Sequence, residues 1–149
     1  VSDSHSHREL AVAAFNRSWT LLEAERDEDD DCELLEVAFT SRHHWRAAGG
    51  PQQWAISDWM VSRCFAELGD GPMSLRFATS AARRTPEDAP AWLRASLFEG
   101  LARAHAVSGN AAARDEAVER AARELELEVD PEERALIAGQ LATVPPARD

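Results

Sequence analysis

Lysine and tyrosine are absent from this chain of 149 residues, so all 16 of its basic side chains are arginine. Without lysine there is no Schiff-base nucleophile and no P-loop ammonium to hold a nucleotide phosphate. Positive charge is scarce altogether: 16 Arg stand against 27 Asp and Glu, a formal charge of -11. Nucleic acid is therefore a disfavoured partner, because phosphate recognition needs clustered cations, and an anionic membrane surface is disfavoured for the same reason.

Cysteine is nearly missing too. Cys32 and Cys64 fall on different predicted helices, with no CxxC and no Cys/His ligand spacing, which argues against a disulfide scaffold and a structural zinc. No apolar run approaches the roughly 20 residues of a membrane span, and the opening "VSDSHSHREL" lacks the charged-then-apolar order of a signal peptide. The expectation is a cytoplasmic protein with free, buried thiols and no cofactor. Its Ala- and Arg-rich, Lys-free usage is what a GC-rich bacterial genome would give.

Alternating β-branched runs are the last absence, and apolar residues instead recur every three or four positions almost throughout, which predicts an all-α fold. At 44% hydrophobic, the chain is long enough to bury one core, so a single domain over 1–149 is expected. About seven helices emerge. The first runs from about Arg8 to Glu25, and the acidic "ERDEDDD" ends it. The second starts near Asp30 or Asp31, where Asp suits an N-cap, and stops at Gly49; Pro51 opens a third through Leu68. A fourth lies between "LGDGP" and "RTPEDAP", a fifth covers roughly 90–108, a sixth about 111–128, and "DPEER" opens a seventh ending near Ala142. Residues 1–7 and 143–149 are expected to fray. Short connections make consecutive helices antiparallel hairpins.

Two stretches share an order of elements: "FAELGDGPMSLRFATSAARRTP" and "HAVSGNAAARDEAVERAARELELEVDP" each pass from a helix to a turn of Gly then Asp or Asn, then to an Ala-rich amphipathic helix and a Pro. Here the chain resembles the tetratricopeptide (TPR) superfamily, whose unit is a helix-turn-helix of about 34 residues. Gly69 falls on the family's turn glycine, Phe65 on its first-helix aromatic, Ala81 on a small second-helix position and Pro86 on the closing proline. In the next unit Gly109 matches the turn, His105 takes the aromatic place and Leu101 a core place, while the second helix fits only after a one-residue shift. The turn glycines are 40 apart (109 less 69), longer than the consensus. The resemblance covers about residues 51–131 and implies a short right-handed superhelix of stacked hairpins that binds a protein or peptide on its concave face.

The chemically richest stretch is "SRHHWRAAGGPQQWAISDWM", residues 41–60. On a helical wheel Leu34, Ala38, Ser41 and Trp45 form one stripe, His44 borders it and His43 points nearly opposite, so the adjacent histidines do not converge on a metal. The third helix is apolar almost all round, which makes it central and leaves Asp58, Ser62 and Arg63 as polar groups in need of partners. Asp58 is placed to reach His44 across the hairpin, and Arg63 to stack on Trp59 one turn earlier. The acidic run offers carboxylates at Asp27, Asp29, Asp31 and Glu33, the alternation that begins a calcium loop. Cys32 stands where that loop needs glycine and Ala38 where it needs a terminal glutamate, so a solvated loop is expected. His105, on the core face of its helix, is expected to be a satisfied, half-buried side chain.

Two functions follow. The first is a non-enzymatic, TPR-like module that binds a protein or peptide, with a second copy of itself as one such partner, since the ends of a short stack expose apolar surface. The second is a binder of small anionic molecules, or an enzyme, with a pocket between the second and third helices lined by His44, Trp45, Trp54, Asp58, Trp59 and Arg63. The absence of a nucleophile, an oxyanion-hole glycine pattern and a second convergent carboxylate favours the first.

Overall fold

The computed structural model describes residues 2–149, and within them the chain is all-helical: α1 (Ser2–Leu22), α2 (Glu28–Ala48), α3 (Pro51–Glu67), α4 (Gly71–Arg84), α5 (Ala91–Val107), α6 (Ala111–Glu126) and α7 (Pro131–Ala142). Local chemistry sets the boundaries. Asp27 opens α2 with a capping box, its side chain accepting from the Asp30 N–H while the Asp30 carboxylate accepts from the Asp27 N–H. The acidic run, expected to be a solvated loop, is thus a helix start, and two of its carboxylates are taken by arginines: Asp31 by Arg26 at 2.9 Å and Glu33 by Arg17 at 2.7 Å.

The two repeat turns are one device used twice. Gly69 and Gly109 adopt φ of +79° and +77°, a left-handed conformation that glycine enters without a Cβ clash. Each closes a helix with the paired hydrogen bonds of a Schellman motif: Asp70 N–H to Phe65 O and Gly69 N–H to Ala66 O, then Asn110 N–H to His105 O and Gly109 N–H to Ala106 O. The next residue caps the following helix, Asp70 accepting from Met73 N–H and Asn110 from Ala113 N–H, each at 3.1 Å. Each such cap contributes about 1 kcal/mol.

Three hairpins result, α1 with α2, α3 with α4 and α5 with α6, each packed along its length. The odd-numbered helices also touch in succession, α1 to α3 to α5 to α7, whereas among the described residues no even-numbered helix packs on another even one. The odd helices therefore form a continuous layer with the even ones splayed behind it. Small and hydroxylated residues let the hairpins close tightly. Ser62 and Ser74 donate to each other's backbone carbonyls at 2.8 and 3.0 Å, and Ser41 donates to Ala11 O at 2.8 Å.

The central position expected of α3 is what is found: it packs on α1, α2, α4 and α5, and Met60, Val61 and Cys64 join Leu34, Ala38 and Leu93 in the main core. Leu34, Ala38, Ser41 and Trp45 are the buried stripe of α2, as the wheel predicts. The ends differ from expectation. Residue 1 lies outside the described residues, and α1 is helical from Ser2. The tail expected to fray at 143–149 is instead seated on the turns: Val144 is buried, Arg148 N–H donates to Ala106 O at 2.9 Å, and Arg114 donates to the Val144 and Pro145 carbonyls. Backbone groups exposed by two helix ends gain partners there, which composition does not reveal.

Candidate functional site: a tryptophan-lined groove

Four of the five tryptophans, Trp19, Trp45, Trp59 and Trp92, line one open cavity of about 410 Å³. It is hollowed into the odd-helix layer, with Val12 and Phe15 from α1, Ile56 from α3, Leu93 from α5 and Leu136 and Ile137 from α7 completing its apolar walls. Its polar groups are few: Gln53, Ser96, Glu133 and Gln140. An apolar concavity with a few convergent polar groups is the usual form of a binding site.

The floor is held by a buried carboxylate. Glu99 of α5 has no exposed surface and accepts from Trp59 Nε1 at 3.0 Å, from Arg103 Nε and a terminal guanidinium nitrogen at 2.9 and 2.6 Å, and from Arg63 at 3.4 Å. Arg103 in turn donates to Gln140 O and Thr143 Oγ1 at the end of α7, so one charge network spans α3, α5 and α7 beneath the groove. Such a network fixes the mutual register of helices more than it adds stability. Burial, and then the nearby charge of Arg103, lower the Arg63 pKa, and its Nε is buried without a partner.

Residues 40 apart meet in this layer. Trp19 and Trp59 have ring centroids 5.8 Å apart, Trp59 donates to Glu99, and Arg103 donates to Thr143. Their separation equals that of the turn glycines, so Glu99 occupies the repeat position that Trp19 and Trp59 hold in the units before it. Stepping 40 residues back from Trp59 would have found Trp19. Leu136 and Glu133 fall on the same step, 40 residues after Ser96 and Leu93 and 80 after Ile56 and Gln53, all of them lining the groove, whereas Trp92 has no lining residue one step away.

Of the six residues proposed for an anionic pocket, two line the groove, Trp45 and Trp59. Asp58 does not reach His44: it accepts from Arg42 at 2.5 Å, Ser80 at 2.6 Å and Arg84 at 2.8 Å, tying α2, α3 and α4 together on the far side. A buried carboxylate gains more from two guanidinium groups than from a neutral imidazole. His44 meets His7 instead, Nδ1 to Nδ1 at 2.7 Å, and burial followed by the charges of His7 and His43 holds its pKa below the ordinary value. Arg63 stacks on Trp19, 5.7 Å from the ring centroid, rather than on Trp59. Trp54 lies outside the groove, its Nε1 donating to Trp45 O at 3.0 Å.

The groove lining contains no Arg or His. Two cations touch lining indoles from outside the groove, Arg8 over the Trp45 ring at 5.3 Å and Arg63 over Trp19 at 5.7 Å, the latter also paired with Glu99. Burial pushes the Cys64 thiol up to about 12, which removes it as a nucleophile near neutrality. His105 is half-buried, as expected, beside a smaller cavity with Phe98 and Arg120, desolvation lowers its pKa, and its ring makes no hydrogen bond to another described residue. Among the described residues no helix is long and apolar enough to cross a membrane. Comparison with known proteins adds nothing to this geometry: no protein-family model, curated protein or solved structure matches the chain.

Proposed function

We propose that the chain is a non-enzymatic, TPR-like interaction module that binds an apolar segment of a protein or peptide in the tryptophan-lined groove. The observation that carries this reading is the lining itself: four indoles and six aliphatic or phenyl side chains form an open concavity, and of the five indole N–H groups only those of Trp54 and Trp59 have a partner among the described residues. Aromatic walls suit apolar side chains, and free indole donors suit the carbonyls of an extended backbone. The duplicated glycine turns and the 40-residue spacing support the family likeness, and two free cysteines suit the cytoplasm.

Short capped peptides with apolar side chains at alternate positions, titrated against intrinsic tryptophan emission, test the reading. Saturable change in wild type, lost in Leu136→Glu, is the expected result. Leu136 lines the groove yet is 59% exposed, so this variant keeps the fold. No saturable change with any apolar peptide would remove the reading.

Self-association is a second form of the same function. Leu127, Val129 and Leu136 are 63%, 89% and 59% exposed around the α6–α7 junction, an apolar surface that a second copy could cover. Sedimentation that shows a monomer at every usable concentration would rule it out.

A further inference from the structure

The free charge at the groove belongs to Glu133, and the way α7 begins explains why it is free. The sequence from Asp130 to Glu133 has the spacing of a capping box, in which the third helical residue turns its carboxylate back to the N-cap N–H. In α2 that is what Asp30 does for Asp27. In α7 the N-cap side chain of Asp130 does accept from the Glu132 and Glu133 N–H groups, but the Asp130 N–H is already taken by Glu128 Oε1 at 3.0 Å. Glu128 is buried and also accepts from the Trp92 N–H at 3.0 Å, which holds it between the starts of α5 and α7. Glu133 is thereby released from capping. Its carboxylate makes no hydrogen bond or ion pair among the described residues, and it lines the groove half-buried, the one charged side chain to do so.

We infer that the segment bound in the groove is basic as well as apolar: a peptide whose apolar side chains enter the tryptophan walls while a Lys or Arg reaches Glu133. The inference rests on the groove being the binding surface. Charge complementarity supports it at two ranges. At short range the lining offers one carboxylate, two side-chain amides and a hydroxyl, with no cation to receive an acidic group. At long range a formal charge of -11 steers basic partners inward and repels acidic ones. An anionic ligand meets the opposite on both counts.

Three capped peptides of one apolar sequence that differ at a single position, lysine, norleucine or glutamate, test this by isothermal titration at low salt. The lysine peptide should bind about three- to five-fold more tightly than the norleucine peptide, as a partly exposed ion pair allows, and the glutamate peptide more weakly than either. In Glu133→Gln the lysine advantage should shrink to the small remainder that the overall negative charge supplies at low salt, and salt near 0.5 M should narrow the gap in wild type, as expected when the Debye length falls to roughly 4 Å. An unchanged melting temperature for Glu133→Gln shows that the fold is kept. Equal binding of lysine and norleucine peptides to wild type, or a lysine preference undiminished in Glu133→Gln, overturns the inference and leaves the groove as an apolar site. Binding by none of the three overturns the groove reading and the inference together.

Discussion

Replacing Glu99 by glutamine tests the structural account at its most constrained point. The carboxylate has no exposed surface and receives four N–H groups, from Trp59, Arg63 and Arg103. An amide of the same shape offers one oxygen. If that oxygen faces Arg103, its NH₂ is turned to the Trp59 indole donor, and the two guanidinium groups lose their counter-charge in a site where solvent cannot replace it. Removing one partner of a buried ion pair costs about 3–5 kcal/mol. Arg103 keeps its bonds to Gln140 O and Thr143 Oγ1, which places the loss near the lower end, about 3 kcal/mol. At roughly 2–4 °C per kcal/mol for a domain of this size, the melting temperature should fall by about 6–12 °C. Urea unfolding followed by circular dichroism should show a lower midpoint with an unchanged slope, which separates stability from a change in compactness. A loss below about 1 kcal/mol would refute the reasoning, because it would mean that the two arginines find other counter-charges.

Three further outcomes follow from the same geometry. Asp58→Asn should cost less than Glu99→Gln, about 1–3 kcal/mol by urea midpoint, because Arg42 and Arg84 retain 21% and 39% exposure and can turn to water; an equal or larger loss would contradict this. Gly100→Ala places a Cβ 2.8 Å from Trp59 Cδ1, and an indole pinned by Glu99 cannot retreat. Overpacking of about 1–3 kcal/mol should outweigh the roughly 1 kcal/mol that alanine gains in a helix, so stabilisation would contradict the packing. For His44 the folded pKa lies below its ordinary 6.5, so its contribution is present above that value and is lost as pH falls through the depressed folded one. Urea midpoints compared between about pH 7.5 and about pH 5 should fall more steeply in wild type than in His44→Gln, and parallel curves would count against the desolvation of the His44 imidazole beside His7.

Helices were legible in the sequence because each rests on local signals: the stripe Leu34, Ala38, Ser41 and Trp45, the caps at Asp70 and Asn110, and the glycines at 69 and 109. The centrality of α3 was legible because an all-round apolar helix has nowhere else to go. Partners were less so. A wheel gives the face that Asp58 occupies but not what comes over that face, and Arg84 and Ser80 arrive from α4, a helix the local reading did not consider. The groove went unseen for a similar reason. Its walls come from four odd-numbered helices and the end of α2, so Trp19, Trp92 and Leu136 meet only once the layer is assembled, and the 40-residue step that pairs Trp19 with Trp59 shows only when the repeat is laid over α1 as well. The seated tail was illegible because one buried apolar side chain, Val144, makes no pattern and the rest of its hold comes from hydrogen bonds to backbone groups.

The most direct test of the central claim is a nitrogen-15 spectrum of the indole N–H groups during titration with the lysine-bearing apolar peptide. The chain has five tryptophans, and the structure sorts them. Trp19, Trp45 and Trp92 line the groove with unpartnered indoles, whereas the Trp54 indole is outside it and bonded to Trp45 O. Peptide binding in the groove should shift the first three signals progressively and leave Trp54 nearly still. A shift confined to Trp54, or no shift at saturating peptide, would contradict the assignment of the groove as the binding surface.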